Sequence, residues 1–154
     1  MAYPCWVEIT PGTLAVIALV AIAILSGVLL KLFSGRGREI SNPETIDLVK
    51  LKAMKLGVPV KAFGKRATLL QFSTEYCSIC PSVSRLLSQL EYRHGGLLHL
   101  EVDITNRLDL AAHFQISQTP TIFILDTNGR IKFRVSGTPK PGVIQVELEK
   151  LGAL

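Results

Sequence analysis

Residues 68–92 read TLLQFSTEYCSICPSVSRLLSQLEY. The stretch from Thr68 to Phe72 is a short apolar run of the length and bulk of a buried strand. From Pro81 to Tyr92 the spacing changes, and Val83, Leu86, Leu87 and Leu90 recur on one helical face until Gly95-Gly96 ends the pattern. Between the two periodicities stand Cys77 and Cys80, so a C-x-x-C pair sits where a strand hands over to a helix.

Reading downstream, LLHLEVD from Leu97 to Asp103 predicts a second strand and Asn106 to Phe114 a short helix. After Thr119-Pro120 come the strand TIFIL, an Asn128-Gly129 turn and the strand RIKFRV, a hairpin with a strong turn signal. A last helix is expected from about Pro141 to Leu151. The order β-α-β-α-β-β-α describes an α/β domain over 67–154: a parallel pair extended by an antiparallel hairpin, with helices on both faces. Upstream, Ser34 to Ser41 reads as a linker. A helix is expected from an Asn42 cap, with Pro43 in its first turn and Ile46, Val49, Ala53 and Met54 on one face as far as Gly57. Pro59 to Arg66 reads as loop or a short edge strand, making 34–66 a juxtamembrane linker and helix.

The segment before this linker, residues 13–33, is apolar throughout except for Lys31 and a few small or hydroxyl residues. No charge occurs between Glu8 and Lys31, and a helix from Thr13 to Phe33 would be long enough at about 1.5 Å per residue to cross a hydrocarbon core of roughly 30 Å. MAYPCWVEIT lacks the positive region of a signal peptide, and LLKLF does not resemble a cleavage site, so the segment reads as an uncleaved single-pass anchor behind a short tail, residues 1–12. Lys31, Arg36 and Arg38 follow it and no Lys or Arg precedes it, which predicts a C-terminal domain facing the cytoplasm from the cell membrane. Tyr3 and Trp6 suit the opposite interface; Cys5, with no signal peptide before it, reads as a free thiol rather than a lipoprotein acceptor.

The net charge of +5 does not indicate a nucleic-acid partner. Residues 31–66 hold nine Lys or Arg against three carboxylates, whereas residues 67–154 hold eight of each sign. A basic face able to track phosphates would have to lie on the folded domain.

Thiol-disulfide exchange needs one cysteine that is a thiolate near neutral pH and a second that attacks the resulting mixed disulfide. A two-residue spacing at a helix start supplies both, because the helix end stabilises the first anion and the second thiol lies about one turn on. Cys77 is expected to be the exposed nucleophile and Cys80 the buried resolving thiol. Half of a zinc site is the competing reading of C-x-x-C, but of His94, His99 and His113 only the loose His94–His99 pair has the spacing of the missing ligands, so neither metal nor cofactor is expected.

From about Ala67 to Leu151 the chain resembles the thioredoxin family. FSTEYCSIC is similar to that family's strand-end motif, with Tyr76 where an aromatic, usually Trp, precedes the first cysteine. ISQTPTIFILDTNGR resembles its cis-proline segment and following hairpin, and Gly137 matches a family glycine beside the substrate groove. The resemblance implies a thioredoxin-like fold, a cis Thr119-Pro120 bond, and a Thr119 backbone free to pair with an extended substrate chain.

The chain also departs from that family. Ser78-Ile79 replaces the usual Gly-Pro between the cysteines. The buried Asp of family members falls on Gln71, and its Lys partner falls on His99. Gln71 cannot take a proton from Cys80; His99 could in principle, although a lone His on such a strand is more often a satisfied core residue. Glu75 reads as a solvated charge. The function expected is a membrane-tethered thiol-disulfide oxidoreductase that reduces protein disulfides in cell redox homeostasis, drawing on an upstream electron donor. Its alternatives are the same chemistry outside the cytoplasm, or a non-catalytic module that binds a partner or a soft metal.

Overall fold

The computed structural model describes residues 11–33, 37–40 and 44–154. These divide into two units, Met1–Ser34 and Gly35–Leu154. The first holds α1 (Pro11–Phe33), a 23-residue helix long and apolar enough to cross a membrane. Tyr3, Cys5, Trp6, Arg36, Asn42 and Pro43 lie outside the described residues.

The second unit contains β1 (Gly37–Glu39), α2 (Leu48–Leu51), β2 (Met54–Lys55), β3 (Val58–Pro59), β4 (Ala67–Ser73), α3 (Cys80–Arg93), β5 (Leu97–Asp103), α4 (Leu108–His113), β6 (Thr121–Leu125), β7 (Ile131–Ser136) and α5 (Val143–Lys150). Its strands form one sheet in the order β1-β7-β6-β4-β5-β2-β3. β4 and β5 are parallel, and the other pairings are antiparallel. β4 lies near the middle and is buried on both faces, which is why it reads as a continuous apolar run rather than an alternating one.

Alternation along the strands sends side chains to two cores. Leu70 and Phe72 of β4, Leu100 and Val102 of β5 and Phe123 and Leu125 of β6 pack on one side, with Leu48, Leu51 and Phe114. Leu69, Leu97, Ile122 and Ile124 pack on the other, against Val83, Leu87 and Leu90 of α3 and Ile144 and Leu148 of α5. By this period of two, Gln71, His99 and Glu101 belong to the α3 side. Leu86, expected on the apolar face of α3, is 39% exposed instead.

Three local expectations are corrected. The helix expected as far as Gly57 is a single turn: Asp47, not Asn42, caps it, accepting from the N–H groups of Val49 (3.0 Å) and Lys50 (3.2 Å). Lys52 then turns left-handed (φ 52°), and Met54 and Lys55 enter the sheet as β2, paired with β5 and with β3. The apolar residues of 46–54 satisfy a turn plus a strand because Ile46, Leu48, Leu51 and Ala53 all reach the same core. Secondly, Gly37–Glu39 is not free linker but an edge strand on β7. The ring of Phe133 fills the space where a Gly37 side chain would stand, so this close approach needs glycine. Thirdly, α3 starts at Cys80, not at Pro81.

Candidate active site

β4 ends at Ser73 and the chain makes a tight loop into α3. The Cys77 N–H donates to the Thr74 carbonyl (3.1 Å), and the Cys80 N–H donates to the Cys77 carbonyl (3.3 Å). Cys77 therefore lies one turn ahead of the helix, with Ile79 as a cap that offers no side-chain hydrogen bond and Pro81 in the first turn, where its missing N–H costs nothing. The two cysteines form a disulfide with Cα atoms 5.4 Å apart. They differ in access: Cys77 is partly exposed, while Cys80 is buried, 4% exposed. Tyr76 beside them is 84% exposed.

The loop before β6 meets the cysteine loop through the Thr119 and Thr74 hydroxyls, 3.4 Å apart. The Thr119-Pro120 bond is cis. The Pro120 carbonyl accepts from the Gly137 N–H at 2.7 Å, which joins this loop to the end of β7. Among the described residues, neither the N–H nor the carbonyl of Thr119 makes a backbone hydrogen bond. Thr119, Pro120 and Gly137 are thus brought together beside the cysteine loop.

Beneath the disulfide, Gln71 is buried and its side-chain amide donates to the Cys80 carbonyl at 3.2 Å; its own oxygen is buried without a partner among the described residues. His99 is opposite Leu69 in the parallel register, and the residue opposite Gln71 is Glu101. His99 Nδ1 lies 3.1 Å from the Ser88 hydroxyl, and its Nε2 is buried with no partner among the described residues. Burial pushes the imidazole below its usual value of 6.5; Glu101 and Glu91 oppose that shift and Lys55 adds to it. Burial therefore favours the neutral form of the His99 ring.

A crevice of about 440 Å³ is lined by both cysteines together with Gln71, Ser84 and Glu101, and His99 is not among its walls. His99 lines a neighbouring crevice of about 390 Å³ with Ser88, Glu91 and Lys55. Glu101, which sequence reasoning did not single out, lines both, and the Ser84 hydroxyl donates to it. The signal lay in LLHLEVD: alternation puts Glu101 on the same face as His99, two residues nearer the end of the sheet at which β4 hands over to the cysteine loop. Among the described residues no cluster of three His, Cys, Asp or Glu side chains could hold a metal ion.

This geometry has relatives. Aligned over 76 residues, the chain is 30% identical to thioredoxin H9 of Arabidopsis thaliana, an alignment covering 49% of this chain and 54% of that one. It is 27% identical over 81 residues to thioredoxin of Gallus gallus, covering 53% and 76%. The alignment to the TPR repeat-containing thioredoxin of Arabidopsis thaliana spans only 28% of that longer protein. Among solved structures, an uncharacterised thioredoxin-like protein from Clostridium perfringens superposes with a TM-score of 0.51 at 23% identity, covering 60% of this chain and 76% of that one. Residues 48–150, from α2 to the end of α5, match the thioredoxin family model, and the chain belongs to the thioredoxin family.

Proposed function

We propose that this chain is a membrane-tethered thiol-disulfide oxidoreductase that reduces protein disulfides, with Cys77 attacking and Cys80 resolving. The observation that carries this reading is the unequal access of two bonded cysteines at the mouth of α3, beside a loop whose Thr119 backbone is unengaged. In the reduced protein a Cys77 thiolate would attack one sulfur of a substrate disulfide, forming a Cys77–substrate bond and releasing the other substrate sulfur as a thiolate. Cys80, losing its proton, would then attack Cys77, form the intramolecular disulfide and release the second substrate thiolate. The protein pair is oxidised by two electrons and the substrate reduced by two. An upstream donor restores the dithiol.

Family membership and the open α3 mouth support the chemistry. The tether is supported by the length and apolarity of α1, and a cytoplasmic domain by the basic residues that follow it. Thr119, Pro120, Gly137 and Tyr76 would form the groove in which an extended substrate segment pairs with free backbone groups. Catalytic reduction of a generic protein disulfide by the full chain, lost in Cys77→Ser, tests the reading. Stoichiometric binding without turnover would favour a non-catalytic module.

A further inference from the structure

Resolution of a mixed disulfide requires Cys80 to lose a proton, and the groups lining its crevice restrict where that proton can go. Gln71 touches the Cys80 carbonyl but cannot titrate. His99 faces a different crevice, and its Nδ1 is engaged with Ser88. The carboxyls lining the cysteine crevice are Glu75, on the exposed loop, and Glu101, half-buried on β5 directly opposite Gln71. Ser84 lies four residues past Cys80 on α3, and its hydroxyl donates to Glu101, fixing the carboxylate against the helix that carries the resolving thiol. The spacing repeats: Ser88, one turn further along α3, meets His99, two residues back along β5.

Resting on the proposed roles of Cys77 and Cys80, we infer that Glu101, positioned by Ser84, accepts the Cys80 proton through the solvent of the crevice while the mixed disulfide is resolved. As the Cys80–Cys77 sulfur bond forms and the Cys77–substrate bond breaks, the proton passes from Cys80 to the Glu101 carboxylate, and the substrate sulfur leaves as a thiolate. The charged and titratable groups around Glu101 are Arg85 and Glu91 of α3, Lys55 of β2, His99 and Asp103 of β5, and Glu75 of the loop. Lys55 is paired with Glu91, and Asp103 accepts from Thr105, so Glu101 is the carboxylate set between the two crevices and held by a serine of the catalytic helix.

The test is stopped-flow reaction of the reduced full-length protein carrying Cys5→Ser, so that Cys77 and Cys80 are its only thiols, with 5,5′-dithiobis(2-nitrobenzoate) across pH 5.5–9.5. Attack by Cys77 releases a first coloured thiolate, and resolution by Cys80 releases a second. Glu101→Gln should slow the second phase by about tenfold near pH 6.5 and leave the first within twofold, a modest share of what general base assistance can supply. The variant and the parent should converge as pH rises past the ordinary thiol value of about 8.5. Glu101→Asp should recover most of the lost rate, and Ser84→Ala should show an intermediate loss, which provides a second reading should Glu101→Gln fold poorly. A second phase within twofold of the parent at every pH in both Glu101→Gln and Ser84→Ala, or a larger slowing in His99→Gln than in either, overturns the inference. If the parent shows no first phase, the proposed attack by Cys77 fails and takes the inference with it.

Discussion

Gln71 reaches from the middle of the sheet to the first residue of α3, where its amide nitrogen lies 3.2 Å from the Cys80 carbonyl. The same side chain leaves its oxygen buried and unpartnered, so one amide both stabilises and destabilises. A typical hydrogen bond contributes about 1 kcal/mol net, and an unsatisfied buried acceptor costs about 1–3 kcal/mol. Gln71→Leu is close in volume and removes both effects, so the unfolding free energy of the oxidised protein should stay level or rise by up to about 2 kcal/mol. A loss above about 3 kcal/mol would show that the bond to Cys80 outweighs the orphaned oxygen.

The unequal exposure of the cysteines predicts their chemistry. Iodoacetamide should label Cys77 before Cys80 in the reduced protein, because the alkylated species is the accessible thiolate. Cys80→Ser should accumulate a mixed disulfide with a protein substrate, and Cys77→Ser should accumulate none. Peptide mapping that found Cys80 modified first would reverse the assignment.

The site and the fold were legible in the sequence to different depths. LLHLEVD and TIFIL match β5 and β6 residue for residue, because a central strand is bounded by where its hydrophobic run stops. The 46–54 segment was not legible, since Ile46, Leu51 and Ala53 bury themselves through a left-handed turn at Lys52 that no apolar period announces. β1 was hidden for another reason: a Gly-Arg-Glu edge strand has no apolar alternation, and its place depends on the distant ring of Phe133. Cys77, Cys80, Thr119 and Pro120 were visible as motifs, whereas Glu101 became visible only with the strand register that sets it opposite Gln71.

His99 should make stability depend on pH. Burial lowers its folded-state value below the 6.5 of the unfolded chain, so between those two values the unfolded protein binds the extra proton. The His99 contribution is intact above about 6.5 and is lost as pH falls through that value toward the lowered one. His99→Gln should therefore flatten the decline in unfolding free energy between pH 7.5 and 5 relative to the parent. Parallel curves would mean that the buried ring takes up its proton as easily in the fold as in the open chain.

The orientation of the proposed tether is open to a reporter experiment. Residues 1–12 carry only Glu8, while Lys31, Arg36 and Arg38 closely follow the apolar segment. Positive flanks are retained on the cytoplasmic side. A C-terminal fusion active only in the cytoplasm should be on, and one active only outside should be off. The opposite pattern would turn the proposed reductant into an extracytoplasmic oxidoreductase.

Gly137 is where backbone geometry and the proposed groove meet. Its φ is +79°, and its N–H holds the Pro120 carbonyl at 2.7 Å. An added Cβ would stand 3.3 Å from the Gln118 side-chain nitrogen, the far end of a flexible and exposed chain that can move aside. The main cost of Gly137→Ala is therefore the left-handed backbone, about 1–2 kcal/mol for an L-residue. Gly137→Asn adds a Cβ at the same place but tolerates that conformation better, so it should lie between glycine and alanine in unfolding free energy. If the Pro120 loop is part of the substrate groove, turnover of a protein disulfide should fall further in Gly137→Ala than reaction with a small aromatic disulfide, which needs no backbone pairing. Equal losses on both substrates would place Gly137 outside the groove and leave it a purely conformational role.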